Sequence, residues 1–91
     1  MIFKVGIMTD ATLIEAPSAR AAALFYGINT NGNAQLMAVV YEQDGKDYTG
    51  DRTPWFKYQM NPDLKDEFEK EIDKIIPEVR LCKFVSEKKV P

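Results

Sequence analysis

Fourteen Asp and Glu, twelve Lys and Arg, four Tyr and one thiol, Cys82, make up most of the chemically competent side chains of this chain, and histidine is absent. Without imidazole there is no group whose ordinary pKa lies near neutrality. There is also no Ser-His or Cys-His nucleophile pair and no zinc site containing histidine. Catalysis would have to run on carboxylates, Lys, Tyr or Arg, and no spacing sets two acids across a cleft. The reading is therefore non-enzymatic, with no catalytic residue, metal ligand or cofactor nominated. Cys82 reads as a small core residue in a strand, because nothing nearby in sequence stabilises a thiolate.

Three short motifs fail on their chemistry. Gly45 and Gly50 have the spacing of a phosphate-binding loop, but Asp51-Arg52 stands where Lys and a hydroxyl residue are needed. A carboxylate there repels phosphate, and no helix is expected to follow. Asp44, Asp47 and Asp51 lack the offsets and the bidentate Glu of a calcium loop, so they read as turn residues. Ser86-Glu87-Lys88-Lys89 matches Ser-x-x-Lys without the partner motifs of acyl-transfer enzymes.

The best candidate binding site is aromatic and basic: Arg52, Trp55 and Lys57 on one surface, with Tyr48 across the preceding turn. Thr53 to Met60 alternates Trp55, Lys57 and Gln59 against Phe56, Tyr58 and Met60, as a strand would. If the second set faces the core, Trp55 points outward. An outward Trp beside Arg and Lys suits a protein contact or base stacking next to phosphate. The competing reading folds Trp55 over a sheet edge or packs it beneath the Asp10 to Ser18 loop.

Several elements must position these residues. Ile2 to Thr9 alternates Phe3, Val5 and Ile7 against Lys4, Gly6 and Met8, the pattern of a half-buried strand. Leu24 to Ile28 and Gln35 to Tyr41 flank Asn31-Gly32, which favours a hairpin. The alternative is a short Ala-rich helix capped by Ser18, giving a ferredoxin-like βαββαβ order. Asp44-Gly45 turns the chain back through Lys46 to Tyr48. Asp10 to Arg20 is a long connection that reads as a recognition loop or a short edge strand. Asn61 caps a helix with Pro62 at its first position. Leu64, Phe68, Ile72, Ile75 and Ile76 form its apolar stripe, and Pro77 stops it. Val79 to Ser86 reads as a last strand.

Ninety-one residues close one core. The apolar share of 45% and charged share of 29% exclude a disordered or low-complexity chain. Net charge is −2, spread as an acidic Asp63 to Glu78 and a basic Val79 to Pro91. The apolar runs are far shorter than the roughly 20 residues that span a bilayer. No signal peptide is read at the N-terminus, and one unpaired cysteine fits a reducing, cytoplasmic setting. The expected architecture is a single α+β domain over residues 1–86 with a basic tail, 87–91. It has a mostly antiparallel sheet of four or five strands packed on the C-terminal helix. The expected function is protein binding or self-association as a homo-oligomer; the alternative is a nucleotide or single-stranded nucleic-acid binder using the Trp55 patch.

Overall fold

The computed structural model describes residues 1–7, 10–31 and 37–85. Its elements are β1 (Ile2–Ile7), β2 (Asp10–Glu15), α1 (Ala19–Asn31), β3 (Val39–Gln43), β4 (Lys46–Asp47), α2 (Phe56–Met60), a 3₁₀ turn (Pro62–Leu64), α3 (Lys65–Val79) and β5 (Lys83–Phe84). The strands form one sheet in the order β4-β3-β1-β2-β5, with every neighbouring pair antiparallel. This is an α+β fold with a C-terminal helix.

The alternation in β1 is used as the sequence implies. Phe3 and Val5 are 1% and 0% exposed, and cross-strand partners Ile14 and Val40 join them on the face beneath α1. That layer is thin because α1 presents Ala21, Ala22 and Ala23, all fully buried, so helix and sheet approach closely. The α3 helix packs alongside α1, and Phe68, Ile72 and Ile75 reach the core from its half-buried stripe.

Four local expectations are corrected. The residues placed in the first strand of a hairpin, Leu24 to Ile28, lie inside α1. Ser18 Oγ accepts the Ala21 amide at 3.2 Å, and the alanines that follow are the strongest helix formers. Cap and alanines together outweigh the β-type residues beside Asn31-Gly32, a turn whose Gly32 lies outside the described residues. The helix of the ferredoxin-like alternative is thus present, but its strand order is not. Asp10 to Glu15 is a strand between β1 and β5 instead of a loop or an edge.

Thr53 to Met60 is a turn followed by α2, with Asp51 Oδ1 accepting the Thr53 amide and the Thr53 carbonyl accepting the Phe56 amide. The buried pair there is Trp55 and Tyr58, at helical spacing, while Phe56 and Met60 are exposed. Finally, α3 runs through Pro77 to Val79, which shortens the last strand to Lys83–Phe84. Cys82, expected in that strand, sits in the preceding turn as a buried core residue.

Other turn signals hold. Asp44 and Gly45 take φ of 53° and 85° and join β3 to β4 with Gln43 opposite Lys46, as a two-residue hairpin turn requires. Asn61 Oδ1 accepts the Asp63 amide at the 3₁₀ turn that leads into α3. The tail at 87–91 and the Ser86 to Lys89 motif lie outside the described residues.

Candidate interaction surface

Trp55, the centre of the aromatic-basic patch, does not lie on the surface. Trp55 is 1% exposed, so its expected outward orientation is overturned. The helical turn after Pro54 aims the indole inward, where its N–H donates to the Arg20 carbonyl at 3.0 Å. Tyr58 and Phe68 pack on it with ring centroids 6.0 and 5.8 Å away. The Arg20 guanidinium lies 4.7 Å from its ring centroid and pairs with Glu71 at 3.2 Å. Arg20 was not legible as a Trp partner, because the contact joins residues 35 apart.

The remaining three residues each have a partner of their own. Tyr48 is half-buried, edge-on to Phe3. Arg52 reaches Asp47 at 3.8 Å and the Tyr41 carbonyl at 3.5 Å. Lys57 lies over the Tyr58 ring at 4.9 Å.

Strand alternation builds a different surface. With Phe3, Val5, Ile14 and Val40 turned toward α1, their sequence neighbours Ile2, Lys4, Leu13 and Val39 project from the opposite side of the sheet. Among the described helices, α1 meets the sheet over its buried face, and α3 meets α1. Lys4 and Glu42 are cross-strand partners there, 3.9 Å apart, and so are Glu15 and Lys83, at 3.7 Å. Ile2, Lys4, Leu13, Glu42, Asp44 and Gly45 line a shallow groove across it. Gly6 lies near one end, where a Cβ would run into Ala11 and the backbone of Asp10, so the tip of the β1–β2 pair stays flat. Chemically the face is mixed: Ile2 and Leu13 lie beside two ion pairs and the Asp44 carboxylate, which accepts from the Ile2 amide. The signal in the sequence is the Thr12-Leu13-Ile14 run, which gives β2 an apolar residue on both of its faces.

Cys82 belongs to neither surface. Burial first, and then the charge of Glu78, pushes its thiol from the ordinary 9.0 up to about 11. Its Sγ–H donates to the Glu78 carbonyl at 3.5 Å. Because the folded-state value is the higher one, the stability gained by burying the neutral thiol is complete below pH 9 and is lost as pH rises toward 11. Urea unfolding across that window is expected to show wild type losing stability relative to Cys82→Ala. A constant difference between the two would overturn this.

Among the described residues, the antiparallel sheet is thus backed by helices on one side and open on the other. No family model matches the chain, and neither a curated protein nor a solved structure matches it. Among the described residues there is no helix long and apolar enough to cross a membrane, and no group of three or more Cys, Asp or Glu placed to hold a metal ion.

Proposed function

We propose that this chain is a non-enzymatic protein-binding or self-associating module that works through the open face of its sheet. The observation that carries the reading is that the described residues cover the sheet on one side only, which leaves Ile2 and Leu13 in a groove beside paired charges. Ile2 is 37% exposed. Apolar side chains framed by ionic groups suit an interface with a protein, where an apolar centre lies within a polar rim.

The nucleotide or single-stranded nucleic-acid reading has less support. Stacking needs an accessible ring, and Trp55 lies under Arg20. Phosphate needs free cations, whereas Lys4 and Lys83 already face carboxylates. The proposal calls for no cofactor, and a reducing, cytoplasmic setting suits the unpaired thiol of Cys82.

The test is a photo-crosslinking phenylalanine derivative placed at position 13, with one at the exposed position 70 on α3 as control, irradiated in an extract of the cells that make the chain. Protein adducts at 13 that are absent at 70 are expected, and their masses separate a self-adduct from one with another protein. Adducts equal at both positions, or none at 13, would overturn the reading. Quenching of Trp55 emission by a single-stranded oligonucleotide, weakening steeply with salt, would favour nucleic acid instead.

A further inference from the structure

We draw no further inference here: the strongest candidate, the part-exposed apolar patch where Phe84 of β5 packs against Phe25 of α1 with Ile28 one turn along the helix, carries nothing, because nothing in the structure shows what covers it.

Discussion

Trp55→Ala is expected to lower the stability of the fold by about 3–5 kcal/mol, the cost of emptying a fully buried large aromatic site. Three consequences combine. The indole is 1% exposed, so the cavity forms inside the core between Tyr58 and Phe68. The indole N–H that donates to the Arg20 carbonyl at 3.0 Å is lost. The Arg20 guanidinium also loses the ring beneath it, although its pairing with Glu71 remains.

Since small domains are stable by only about 5–15 kcal/mol, such a loss leaves part of the population unfolded on mild warming. Urea titration followed by circular dichroism measures it. A loss below about 1 kcal/mol would place Trp55 outside the core. The native protein supplies an independent check, because emission from this single Trp should be blue-shifted and indifferent to oligonucleotide.

Phe3→Ala is expected to cost a similar 3–5 kcal/mol. Phe3 is 1% exposed on β1, the strand that joins both halves of the sheet, opposite Ile14 on β2. Its ring also supports Tyr48 edge-on, with centroids 6.1 Å apart. Loss of Phe3 therefore frees Tyr48, the member of the aromatic-basic patch that packs against its ring. Urea unfolding gives the stability, and Tyr48 accessibility to nitration gives the second readout. Unchanged Tyr48 reactivity in a destabilised variant would show that Tyr48 is held by the backbone segment after β4 and not by the Phe3 ring.

These two predictions mark where sequence patterning was sufficient and where it misled. Phe3 is legible because period-two alternation in β1 needs only its own neighbours to be read. Trp55 is not, because Trp55 to Met60 alternates as a strand would while Trp55 and Tyr58 also satisfy helical spacing. Over six residues the two periods coincide at enough positions that pattern cannot choose. The choice falls to Pro54, the Asp51 turn and the space beside Arg20. The Ser18 to Gly27 stretch is ambiguous in the same way. Its β-type residues compete with a cap and an alanine run whose value depends on a sheet close enough to need alanines.

By itself the sequence determined the residue types available for chemistry, the α+β class, the buried alternation of β1, the turn at Asp44-Gly45 and the start of the last long helix after Asn61. Each of these follows from local sterics, capping or periodicity. Only the tertiary structure decided that Trp55 lies beneath Arg20, that the Asp10 to Glu15 segment is an interior strand, and that Lys4, Leu13, Glu15, Glu42 and Lys83 come to share one face. The physical reason is strand order: β3 and β5 are brought beside β1 and β2 by long-range pairing, which no local preference encodes.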